Sequence, residues 1–79
     1  MAEETSSAEQ LERERAADRL NAIASGLREG KDMTVSVGNK DIALNPADTV
    51  NYRIDVVEKQ RRFRGNRETV RIELDWKPK

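Results

Sequence analysis

The chain has 79 residues, 15 basic and 15 acidic side chains, no cysteine and no histidine. That length suits one domain with one modest core. Without cysteine there is no disulfide framework or thiolate metal site, and without histidine the usual zinc ligand and neutral-pH general base are missing. No apolar run approaches a membrane span or a signal-peptide core, so the expectation is a soluble, cytoplasmic protein without a membrane partner. About eighteen large apolar residues fall at in-facing positions; at roughly 1.5–3 kcal/mol each they about balance the ordering entropy of the chain. A partner or a homodimer would widen that margin.

The charge is balanced in total and uneven along the chain. Residues 1–30 hold seven acids and four bases, residues 31–58 five acids and three bases, and residues 59–79 three acids and eight bases. This polarity points to an electrostatic partner or to self-association.

In chain order, residues 1–6 are small and polar and are expected to form a disordered tail, with a single α+β domain over 7–79. Ser7 with Gln10, or Ser6 with Glu9, reads as a capping box opening a helix over 7–29. Leu11, Ala16, Ala17, Leu20, Ile23, Ala24 and Leu27 make one apolar stripe at helical spacing. Glu9 with Arg13 and Glu12 with Arg15 are spaced for ion pairs, and Gly30 is placed to end the helix in a left-handed conformation.

Met33, Val35 and Val37 alternate with Thr34 and Ser36; Gly38-Asn39 follows, then Ile42 and Leu44. Gly at the first central position predicts a two-residue type II′ hairpin that sets Val37 opposite Lys40, Val35 opposite Ile42 and Met33 opposite Leu44. Asn45-Pro46-Ala47-Asp48 reads as a turn. A third strand is expected over about 49–57 and a fourth over about 68–77. In them Val50, Tyr52, Ile54 and Val56, then Val70, Ile72, Leu74 and Trp76, occupy alternate positions.

Parity excludes a simple two-residue turn at Gly65-Asn66, because it would pair odd with even positions. The register that avoids like charges sets Ile54 against Ile72, Tyr52 against Leu74, Val56 against Val70 and Val50 against Trp76. It also sets Arg53 against Glu73 and Asp55 against Arg71, and leaves a loop over 61–65. The resulting fold expectation is α+β: one N-terminal helix packed on one face of a four-stranded antiparallel meander sheet, order 1-2-3-4. Trp76 is expected to cap the core against the helix.

The run Ala16-Ala17-Asp18-Arg19-Leu20, then Ala24-Ser25-Gly26-Leu27-Arg28-Glu29-Gly30, then Asn45-Pro46 and finally Val70-Arg71-Ile72-Glu73-Leu74-Asp75-Trp76 resembles the amphi-Trp domain. That small, largely archaeal family takes its name from an amphipathic last strand ending in Trp. The resemblance spans about residues 12–76. It implies the architecture and carries over no activity, cofactor or catalytic or binding residue. Here the hairpin before the last strand is longer and far more basic than the family's usual acidic turn.

Nothing in the residues builds a catalytic site. Glu73 and Asp75 alternate with apolar residues beside Arg53 and Arg71, a setting for ion pairs on an open face rather than for two carboxylates with split pKa values. Ser6, Ser7, Ser25 and Ser36 have no histidine to activate them, and the paired Gly-Asn steps lack phosphate-loop spacing. The expectation is a non-enzymatic protein-interaction or structural module, with a homo-oligomer among its possible assemblies. The local feature that stands out is the hairpin tip, with Lys59, Arg61, Arg62, Phe63, Arg64 and Arg67. Such a tip could dock an acidic protein surface, or lie along phosphates with Phe63 stacked on a base, the second function being that of a nucleic-acid accessory protein. The plainer explanation is a solvated tip with Phe63 folded back on the sheet.

Overall fold

The computed structural model describes residues 3–63 and 65–78. It is α+β, in the order α1 (Arg13–Glu29), β1 (Met33–Val37), β2 (Lys40–Leu44), β3 (Asn51–Lys59) and β4 (Arg67–Asp75).

Helix α1 begins six residues later than the capping-box reading. Glu12 holds the N-cap position in extended geometry without a side-chain cap, and its carbonyl accepts the first helical bond from Ala16 N–H at 3.0 Å. Between Ser7 and Glu12 only Leu11 could have packed on anything, so that turn would have lacked the burial that usually sustains a short helix. The segment instead runs back as an arm. Glu9 pairs with Arg19 rather than Arg13, at 2.6 Å, and the Ser7 hydroxyl lies near Gly38. The far end is as expected, with Gly30 at φ 70°.

The first hairpin has the predicted register, Met33 with Leu44, Val35 with Ile42 and Val37 with Lys40. Gly38 has φ 63° while no non-glycine residue described has positive φ, the combination a type II′ turn requires. Across the solvent face Ser36 donates to Asp41 at 2.9 Å. One end of α1 rests on this hairpin where Gly26 allows the helix backbone close to Met33. The Met33 side chain is only 6% exposed and is the centre of the small core, with Ile23, Leu27, Val35, Ile42 and Leu44 half-buried around it.

The second hairpin also has the predicted register: Ile54 with Ile72, Tyr52 with Leu74, Val56 with Val70, Arg53 with Glu73 and Asp55 with Arg71. Its ladder ends at Asn51–Asp75, so the expected Val50–Trp76 pair lies just beyond it. Both strands start and finish off the predicted bounds, and the connecting loop is 60–66 rather than 61–65.

The four-stranded meander is not formed. The strands make two separate two-stranded antiparallel sheets, β1-β2 and β3-β4. The link between them explains this. Asn45 donates to the Asp32 carboxylate, which ties the chain leaving β2 to the residue before β1. Buried Pro46 follows, a residue with no N–H to offer a ladder. The chain therefore runs off the end of the first sheet instead of turning back along the edge of β2. The molecule measures 48 × 28 × 25 Å with a radius of gyration of 15.2 Å, against about 12 Å for a compact chain of this length. Its accessible surface is 7864 Å², where a compact monomer of this mass exposes about 4,900 Å².

Candidate functional site

The long β3-β4 hairpin carries the features that chemistry could use, and they come directly from its alternation. Even-numbered positions put Tyr52, Ile54 and Val56 beside Leu74, Ile72 and Val70 on one face. Tyr52, Val56 and Val70 are more than 60% exposed and Ile54 and Ile72 nearly half exposed, so this apolar face is open. The expected cover, α1, packs on β1 instead.

The opposite face is polar and partly covers itself. Arg53 reaches along its own strand to Asp55, Nε to Oδ2 at 3.2 Å, and Asp55, Val57 and Thr69 become half-buried. Glu73 and Asp75 are exposed there, as expected for carboxylates on a solvated face. Thus the hairpin is amphipathic with both faces largely open, and the open apolar face is the reverse of what burial usually produces.

At the tip, Lys59 and Arg67 close the ladder and are exposed, as are Arg61 and Arg62 in the loop. Phe63 is 94% exposed: it does not fold back on the sheet, which removes the plainer explanation of that residue. Arg64 lies outside the described residues. The tip is thus a cluster of cations around one bare aromatic ring. Two like-charged pairs stand in register beneath it, Glu58 against Glu68 and Lys59 against Arg67. They follow from the apolar pairs further down, which set the register at a cost of roughly 0.2–1 kcal/mol for each like pair.

Trp76 is half-buried in a hollow shared by Ala43, Leu44, Asn45, Leu74 and Pro78, at the junction of the two sheets. It caps the end of β2 and not, as expected, the helix, since no residue of α1 is in the lining of that hollow. Sequence reasoning missed a second hollow, about 540 Å³, between α1 and β1, with Arg15, Arg19, Ile23 and Val35 in its walls. It exists because helix and hairpin meet at one end and diverge toward the other, which no local pattern signals. Among the described residues no group of three acidic, histidine or cysteine side chains is gathered to hold a metal ion, and no helix is long and apolar enough to cross a membrane.

Comparison with known proteins adds one match. The model of the Amphi-Trp domain family matches residues 1–79. No curated protein and no solved structure matches the chain.

Proposed function

The chain belongs to the Amphi-Trp domain family, and from that premise we propose that it is a small non-enzymatic interaction module whose working surface is the β3-β4 hairpin. The observation that carries this reading is the open apolar face of Tyr52, Ile54, Val56, Val70 and Ile72 on an otherwise highly charged chain. A contiguous apolar face of this kind, rimmed by charge, is the mark of a surface that meets another macromolecule. Catalysis has little to draw on, because the sequence lacks histidine and cysteine and its carboxylates stand on solvated faces. A soluble chain acting in the cytoplasm is part of the same reading.

The bare Phe63 ring supports a second reading, a nucleic-acid accessory protein. Cations at Lys59, Arg61, Arg62 and Arg67 would lie along phosphates while Phe63 stacks on a base. So few phosphate contacts would bind weakly and with a steep salt dependence.

Affinity capture at matched salt, with and without nuclease, separates the two. Baits are the native chain, Ile72→Asp and the triple variant Arg61→Ser, Arg62→Ser, Arg64→Ser. A protein partner lost with Ile72→Asp and indifferent to nuclease supports the module. Capture that depends on nucleic acid and on the tip arginines supports the second reading. Identical capture by all three baits overturns both.

A further inference from the structure

We propose that the free edge of β1 is a binding site for an extended peptide, which adds there as an antiparallel third strand and carries a carboxylate two residues ahead of an apolar side chain. The site is separate from the β3-β4 face and does not depend on it.

The edge is the first argument. β1 pairs with β2 alone. In a two-residue hairpin the pair that closes the turn, Val37 with Lys40, is hydrogen-bonded, and bonded pairs alternate from there. Val35 and Met33 therefore turn their backbone groups to β2, while the N–H and C=O of Thr34 and Ser36 point away from it. Among the described residues, the backbone bond made outside helix and strands is that of Ala16 to Glu12, so these edge groups have no backbone partner. β1 is also the one strand without a charged residue, on a chain in which 38% of residues are charged. Strand edges are ordinarily guarded by lysine, proline or a bulge. β1 has neither residue, and its register is unbroken.

The groove beside that edge is the second argument. The hollow of about 540 Å³ between α1 and β1 takes in Thr34, Val35 and Ser36 and no residue of β2, so it lies along the edge and not across the hairpin. Its size falls within the roughly 300–1,000 Å³ of ligand pockets. A residue added opposite Val35 shares the Val35 face and meets Ile23, which calls for an apolar side chain.

Charge is the third argument and fixes the neighbouring position. Gly26 lies on Met33, while Ile23 and Arg19 share the hollow with Val35 and Ser36. Helix and strand therefore run antiparallel, and Arg19 and Arg15 wall the groove toward its Val37 end. Asp18 stands with them, so two bases less one acid leave a charge of +1, which one carboxylate balances. In the free chain Glu9 of the arm supplies it, on Arg19 at 2.6 Å, while Ser7 lies against the Gly38 turn. The arm thus straddles the open end of the groove, and an incoming carboxylate takes the place of Glu9. An antiparallel strand passes Val37 before Val35, so its acid precedes its apolar residue by two positions.

The test is fluorescence anisotropy with a labelled, acetylated and amidated probe peptide, Thr-Glu-Thr-Leu-Thr, titrated with the full chain. Replacing the probe's glutamate by glutamine should weaken binding by about twofold to fivefold, and Arg19→Ser should do the same. Glu9→Gln should tighten binding by about the same factor, a gain lost when Arg19→Ser is added. N-methylation of the probe's central threonine, whose N–H meets Ser36, should weaken binding by at least about tenfold. N-methylation of its leucine, whose N–H points outward, should change binding less than about twofold. Amide exchange followed by NMR is the second readout. The Thr34 and Ser36 amides should exchange fast in the free chain and at least about tenfold slower with probe bound, while those of Val35 and Val37, already bonded to β2, change far less. No binding at about 1 mM probe overturns the proposal, as does binding indifferent to which amide is methylated. Binding that ignores both the probe's glutamate and Arg19 overturns the carboxylate assignment. Thr34 and Ser36 amides that are already slow in the free chain would show the edge covered, and overturn the site itself.

Discussion

Gly26→Ala tests how the small core is built. In an exposed helix this change stabilises by about 0.8–1 kcal/mol, the difference in helix propensity. Position 26 is not such a site. A Cβ built there would lie 3.0 Å from the Met33 terminal methyl carbon and 3.1 Å from the Met33 Cβ. The methyl end can swing away, but the Met33 Cβ is fixed to the strand backbone, so the helix must lift from β1. Overpacking of this kind costs about 1–3 kcal/mol. Subtracting the propensity gain leaves a net loss of about 1 kcal/mol, or a fall in Tm of roughly 4–8 °C in a domain of this size. Ala22→Gly, at an exposed position of the same helix, calibrates the propensity term and should cost about 1 kcal/mol. Thermal and urea melts followed by circular dichroism at one protein concentration give both values. A Gly26→Ala chain that melts several degrees higher would refute the reasoning, because the close approach of α1 to Met33 would then place no limit on packing.

Further outcomes follow from the two hairpins. Gly38→Ala should destabilise by about 1–2 kcal/mol in the same melts, since φ 63° is left-handed backbone that alanine adopts at a cost. Glu68→Lys should stabilise by roughly 0.2–1 kcal/mol by turning the Glu58–Glu68 pair into an opposite-charge pair; no gain would mean the tip pairs are too exposed to matter. The triple Arg61→Ser, Arg62→Ser, Arg64→Ser variant should stay within about 1 kcal/mol of the native chain, because exposed charges contribute little, while losing whatever anion or acidic-partner binding a two-salt anisotropy titration detects. Glu9→Gln should cost less than about 1 kcal/mol, with the effect shrinking in salt, because both partners of the Glu9–Arg19 pair are about half exposed.

Turns, the helix stop and strand register, which depend on near neighbours, could be read from the residues alone. The Gly38 turn, the Gly30 stop and both strand registers were legible because turn chemistry and a period of two leave few alternatives, and a slip of one residue would invert every side chain. The charged tip was legible too, as a run of bases around Phe63. The helix start was misplaced because a capping box signals where a helix can begin, while burial decides whether its first turns persist, and Ser7–Glu12 has little to bury. Only the tertiary structure decided that the hairpins form separate sheets and that α1 covers one of them. Alternation demands a cover for an apolar face without saying which surface supplies it; here the Asn45–Asp32 tie and buried Pro46 carry the chain past the edge of β2. The open face of β3-β4 follows from that route, because a helix resting on Met33 covers the first hairpin and leaves the second for another surface to meet.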